Sequence, residues 1–210
     1  MAHFQFNDEH HHYVLEPDEH GRGHRRVPSV TQVLEHAGMS PDFSHLDPYY
    51  MERGSAIHRA VALDMLGKLD ESTLDERIIP YVENARTWLS SLEVTPLIVE
   101  FRWVHTVLEY GGTLDLFCES KLGLLLIDWK AVIYDRSYAI QLAGGYRPML
   151  INAAEAGAVP VTPGDVAEAR MAVVTLATEF PKAHWVPIDI NPELFQAALT
   201  CSRWRTANKR

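Results

Sequence analysis

Apolar and polar positions alternate from Leu97 to Val107, a stretch rich in β-branched and aromatic residues, and this spacing predicts a strand. The two apolar segments that follow share a feature. Gly111-Gly112-Thr113-Leu114-Asp115 and Leu124-Leu125-Leu126-Ile127-Asp128-Trp129-Lys130 each carry an aspartate where an apolar strand would otherwise continue. The run Ser120-Lys121-Leu122-Gly123 between them is short and turn-like, so the pattern predicts an antiparallel hairpin. That pairing brings Asp115 towards Asp128. Side chains alternate along a strand, so Lys130 points the same way as Asp128. Two carboxylates and an ammonium then share one patch, and the cost of burying unpaired charge calls for a compensating ion.

Helical signals surround this hairpin. Ser29 is a good N-cap with Gln32 placed for a capping box, and Gly38 closes the helix. Asp47-Pro48 opens a second helix reaching Leu66, which carries Gly54-Ser55-Ala56-Ile57-His58. The small residues one turn before His58 leave room for another group to approach. Residues 74–90 read as an amphipathic helix with Ile78, Tyr81, Val82, Ala85, Trp88 and Leu89 on or near one face. Ser137 to Leu150 is also helical in pattern. Tyr138, Gln141 and Gly145 share a face, while Gly144-Gly145 and Pro148 weaken the helix and bend or end it. Residues 151–168 read as a connection. Met171–Leu176 and Trp185–Ile190 read as strands, and Asn191-Pro192-Glu193 starts a last helix. Residues 202–210 form a basic tail with one aromatic, expected to fray.

Residues 1–27 are expected to form a hairpin whose loop spans residues 19–26. They are rich in histidine (His3, His10, His11, His12, His20 and His24), a compositional signal that fits a solvated hairpin better than a metal site. Arg22, Arg25 and Arg26 are placed to touch a phosphate backbone.

With 210 residues the chain is expected to form a single domain over 1–210. No apolar run approaches the ~20 residues needed to cross a bilayer, and the first residues lack the basic-then-apolar pattern of a secretory signal. Two cysteines read as free thiols in a reducing cytoplasm and cannot form a four-thiolate iron–sulfur site. A net charge of −9 argues against coating nucleic acid by bulk electrostatics. It leaves open an enzyme that meets phosphates through a divalent metal and a local basic rim.

Oxygen donors of this kind suit Mg²⁺ or Mn²⁺. Such an ion activates water and clamps a phosphoryl oxygen, a lysine on the same face stabilises developing charge, and Glu100 on the neighbouring strand is a further candidate ligand. Together these groups suit phosphodiester hydrolysis. The series Gly54-Ser55-Ala56-Ile57-His58, Glu100, Gly112-Thr113-Leu114-Asp115, Asp128-Trp129-Lys130, then Gln141 and Tyr146, resembles the RecB-like, phage-type exonuclease branch of the PD-(D/E)XK nuclease superfamily. Val27-Pro28-Ser29-Val30-Thr31 looks like the opening of many phage members, and the resemblance spans about residues 12 to 200.

The resemblance implies an α/β fold with a restriction-endonuclease-like core, a central mixed β-sheet flanked by helices. It implies a metal-dependent DNA exonuclease of phage-type recombination, repair or replication that leaves a 5′-phosphate and a 3′-hydroxyl. Asp115, Asp128, the Trp129 carbonyl and His58 would hold Mg²⁺ or Mn²⁺, and His58 is alternatively a DNA-facing group. Lys130 would be the catalytic lysine, Glu100 an auxiliary acid, and Gln141 the residue that orients the lysine or a phosphate. Tyr138 and Tyr146 join the arginines as nucleic-acid contacts. Tyr146 departs from the pattern: it falls five residues after Gln141 rather than four, off the shared face, so that either Tyr138 takes its role or nothing does. Ala131 stands where the family commonly has a hydroxyl residue. The expected partner is DNA, with no membrane, in a bacterial or phage-infected host cytoplasm. A homo-oligomer and a single-strand-binding or annealing partner protein stay open. So do two other readings: a non-catalytic end-binding or recombination-accessory module with the same fold, and an interaction module whose acids pair with Arg102, Arg136 and Lys130.

Overall fold

Leu125, Ile127 and Trp129 are fully buried on one face of their strand, while Leu126 packs into a different cluster on the other face. A strand apolar on both faces lies inside a sheet covered on both sides. The computed structural model, which describes residues 4–7, 12–17, 22–41, 47–176, 179–187 and 190–208, shows such a sheet. Its strands are β4 (Thr95–His105), β5 (Tyr110–Ser120), β6 (Gly123–Lys130), β7 (Arg170–Thr175) and β8 (Lys182–Trp185), in the order β4-β5-β6-β7-β8. Every pairing is antiparallel except β6–β7, so the five-stranded sheet is mixed.

Helices α2 (Pro48–Met65) and α3 (Ile79–Ser91) cover one face, burying Ile57, Val61, Val82 and Trp88 against Leu116, Ile127 and Trp129. The opposite face carries α1 (Val30–Ala37), α4 (Arg136–Ile140), α5 (Arg147–Glu155), α6 (Pro163–Glu168) and α7 (Glu193–Ala207). A second, three-stranded antiparallel sheet joins β1 (Phe4–Asn7), β2 (His12–Leu15) and β3 (Arg25–Val27). It is tied to β5 by the Gly111 amide on the Pro28 carbonyl and by Tyr13 Oη against Thr113 Oγ1 at 2.9 Å. The molecule is thus an α/β protein with helices on both faces of its sheet.

Local signals placed many of these elements. Ser29 and Gln32 form the reciprocal capping box, Gly38 ends α1 in the left-handed region, and Asp47 caps α2 ahead of Pro48. The hairpin turns over Lys121-Leu122 with Gly123 at φ 90°.

Other expectations shift. The helix expected over 74–90 begins at Ile79, because Asp75 holds Arg77 in a turn and Pro80, which lacks an amide hydrogen, belongs in a first turn. The strand expected over 185–190 lies at 182–185, since Pro187 cannot continue the ladder, and residues 188–189 fall outside the described residues. The expected N-terminal hairpin is a three-stranded meander with Arg25 and Arg26 in its third strand; His3, His10, His11 and His20 lie outside the described residues. The basic segment expected to fray is helical through Ala207, anchored by buried Ser202 against His36 Nδ1 at 2.8 Å and by Arg203 donating to the Leu108 carbonyl.

The helix expected over 137–150 is not ended by its glycines. It runs to Glu155 through a wide π turn over Gln141–Tyr146, in which the Arg147 amide donates to the Leu142 carbonyl five residues back. Gly144 and Gly145 serve close packing instead: a Cβ on the first would sit 2.4 Å from Phe195 Cβ, and on the second 2.6 Å from Val30 Cγ1.

Candidate active site

The β5–β6 ladder ends at Leu116↔Ile127. From there β5 continues beside β4, while β6 continues beside β7, pairing Asp128↔Val173 and Lys130↔Thr175. Two strands that share an edge and then part leave a cleft, and Asp115 and Asp128 stand at its apex. Asp115 spans it. Its Oδ2 accepts the Trp129 amide at 2.7 Å, replacing the lost ladder bond, and its Oδ1 meets His58 Nδ1 on α2 at 2.8 Å. In an extended strand the N–H and C=O of one residue share an edge, so the Trp129 carbonyl opens on the same side, while the Lys130 carbonyl accepts from Leu176 on the other.

Lys130 Nζ donates to Asp128 Oδ1 at 3.1 Å and lies 2.9 Å from Oδ2. The second approach is a charge contact, so both oxygens of the buried carboxylate are engaged by the one ammonium. The ammonium also lies 4.8 Å from the centre of the Tyr138 ring.

Glu100 enters the cleft through its backbone. The β4–β5 register pairs Val99↔Leu116 and Phe101↔Leu114, which sets Glu100 opposite Asp115, and Glu100 has φ 48°. Val99 and Leu116 pack on the α2–α3 face, whereas Phe101 and Leu114 pack on the other, so the alternation switches faces at this pair. A left-handed glutamate costs about 1–2 kcal/mol. That strain turns its carboxylate towards His58 and Asp115, and one ligand atom from each of the three residues lies within 4.8 Å of the others.

Burial raises the Glu100 carboxyl to about 7, and the Asp115 charge adds to the effect. Burial also raises Asp128, Lys130 opposing and Asp115 reinforcing the shift. Burial would lower Lys130 and His58; the carboxylates beside them outweigh it and hold both above their usual values. Three carboxylates face two bases, a surplus of negative charge in a buried place. The oxygen-rich donor set of Glu100 and Asp115 with His58, and the crowding of carboxylates that raises Glu100 and Asp128, fit a hard divalent cation.

Other expected residues divide between the site and the frame. Gln141 is buried on the π turn with its Oε1 unpartnered. Tyr146 is buried too, and its hydroxyl is pushed well above the usual range by burial and by the Asp128 and Asp115 charges. The wide turn carries Tyr146, five residues after Gln141, back towards the carboxylates, correcting the expectation that it falls away. Tyr138 is buried under Lys130, and a buried ring cannot stack on a base. Arg22 and Arg25 are tied to Glu109 at 3.3 and 3.1 Å, where they hold the N-terminal sheet to the β4–β5 turn; Arg26 is exposed. Gly54 has open space where its Cβ would be. Tyr13, whose hydroxyl meets Thr113 Oγ1, escaped sequence reasoning, which had no signal for a contact so far along the chain.

A scan against protein-family models finds no match, and a search of curated proteins finds none.

Proposed function

We propose that the protein is a Mg²⁺- or Mn²⁺-dependent deoxyribonuclease, more narrowly an exonuclease, built as a RecB-like member of the PD-(D/E)XK superfamily. One observation carries this reading: the parting of β5 and β6 gathers Asp115, Asp128, Lys130, His58 and Glu100 into one cleft from four elements.

Asp115, His58 and Glu100 would hold the cation from one side, with the Trp129 carbonyl and the Lys130-paired Asp128 carboxylate beside them. A bound Mg²⁺ or Mn²⁺ lowers the pKa of water and neutralises phosphate charge. The chain's own groups do the rest. Lys130, whose charged form the neighbouring carboxylates favour and which Asp128 and the Tyr138 ring fix in place, presents its charge to a non-bridging phosphate oxygen as that oxygen gains charge. Gln141 Oε1 is free to orient the ammonium or a water. Glu100, raised to about 7 in the metal-free chain, would be drawn into its ionised form beside a cation and act there as a ligand. Hydrolysis adds water across one P–O bond and leaves a 5′-phosphate and a 3′-hydroxyl.

The test uses linear duplex and single-stranded DNA labelled at either end, incubated in Mg²⁺, Mn²⁺ or EDTA with wild type, Asp115→Ala and Lys130→Ala. Metal-dependent shortening in wild type alone, by about 10³-fold or more over either variant, is expected. Cleavage that survives Lys130→Ala, or DNA left intact by wild type with either metal, overturns the proposal.

A further inference from the structure

Helix α7 buries Phe195, Ala198, Leu199 and Ser202, yet its opposite face is not the polar surface an isolated helix would show. That face carries Ala197, Cys201 and Trp204, with Leu194 at one edge and Thr200 at the other, all exposed; Trp204 is 67% accessible and Leu194 41%. Next to its C-terminal end, where Arg203 reaches the Leu108 carbonyl, Val107 is 78% accessible.

The order of these residues is self-complementary. Ala197 and Cys201 stand two residues either side of Leu199, Leu194 and Trp204 five, and Glu193 and Arg205 six. A second copy of the helix, laid antiparallel with a two-fold axis at the level of Leu199, sets Ala197 level with Cys201 and Leu194 level with Trp204. It also sets the acidic N-terminal end, Glu193, beside the basic C-terminal end with Arg203 and Arg205. Neither Glu193 nor Arg205 has an ion-pair partner among the described residues. Antiparallel helix dipoles add to the attraction. Small side chains lie at the centre, where helix axes must approach to 8–10 Å, and the large ones lie towards the ends. An interface in which residue i meets j and j meets i is what a two-fold dimer requires.

We propose that the exposed face of α7 is a homodimer interface, packed antiparallel against the α7 of a second copy of this chain. The proposal stands apart from the nuclease reading, since none of its residues lies in the cleft.

The test combines sedimentation with cysteine cross-linking on the full chain. At about 100 µM, wild type is expected to sediment at twice 23.8 kDa. Trp204→Glu is expected to sediment at the single-chain mass and to melt where wild type melts once diluted to monomer, since Trp204 supports no core. Ala197→Cys is expected to form an oxidised dimer through Cys201 of the second copy, faster than wild type, whose two Cys201 residues lie on opposite sides of the axis. A wild type that stays monomeric at that concentration overturns the proposal. So does a dimer that survives Trp204→Glu, or an Ala197→Cys variant that cross-links no faster than wild type. Loss of DNA binding in a monomeric Trp204→Glu, with wild type also monomeric, would assign the face to nucleic acid instead.

Discussion

Glu100 is the residue at which stability and chemistry oppose each other. Its backbone sits at φ 48° and its carboxylate faces Asp115, so in the metal-free chain it adds both strain and repulsion. Gly has no Cβ penalty in that region, so Glu100→Gly should be more stable than Glu100→Ala by about 1 kcal/mol in urea unfolding, and both should lose cleavage. Equal stabilities would mean that the left-handed turn stores no strain. The pH dependence follows from the same group. A carboxyl raised from 4.5 to about 7 on folding keeps, in the native state, a proton that the unfolded chain releases, so stability falls as pH rises across that window and levels off above it. His58, also raised, contributes stability below its unfolded value near 6.5 and loses it as pH rises through the folded one, so its effect has the same sign. Without metal, the urea midpoint should therefore fall between about pH 5 and 8, with a shallower slope in Glu100→Gln. A midpoint that climbs over that range would contradict the assignment.

At the scale of elements, the hairpin, the α1 capping box and the start of α2 were legible because each depends on neighbours in sequence: a turn, a cap, a proline. The approach of Asp115 to Asp128 followed from the hairpin register. What the sequence did not show is set by partners far along the chain. The π turn is one example. Gly144-Gly145 and Pro148 read as helix breakers, yet α1 and α7 press on the glycines, and Tyr110 Oη takes the Gly145 carbonyl at 2.8 Å. Pro148 is accommodated because it directly follows the wide π turn, where the regular i→i−4 ladder is already interrupted. The face switch at Glu100 was equally invisible, since a glutamate in an alternating strand gives no sign of a left-handed backbone. The close approach of β5 to the π turn has its own test. A Cβ at Gly112 would lie 2.8 Å from Tyr146 Cε1. Gly112→Ala should destabilise by about 1–3 kcal/mol and also lower cleavage, because the ring it displaces lies beside the carboxylates. A neutral substitution would show that this contact relaxes freely.

For the whole molecule, the sheet acts as a frame that opens at one point. Apolar clusters on both faces hold β5 and β6 rigidly up to Leu116 and Ile127, and the cleft beyond them collects charge that the core would not tolerate. No helix among the described residues is long and apolar enough to cross a membrane. The net charge of −9 gives polyanionic DNA no general attraction, so on the proposed reading a phosphate would bind at this site only through a cation held by the carboxylates. A cation that binds only the folded chain must stabilise it, by about 2.7 kcal/mol at a free concentration a hundredfold above Kd. The most direct measurement is a calorimetric titration of Mn²⁺ into metal-free protein, wild type beside Asp115→Asn and Glu100→Gln, with melting temperatures recorded on the same samples. Saturable binding and a raised melting temperature in wild type, lost in Asp115→Asn and weakened in Glu100→Gln, is the predicted result. Wild-type protein that takes up no Mn²⁺ and melts at the same temperature with and without it would contradict the metal centre, and the nuclease reading with it.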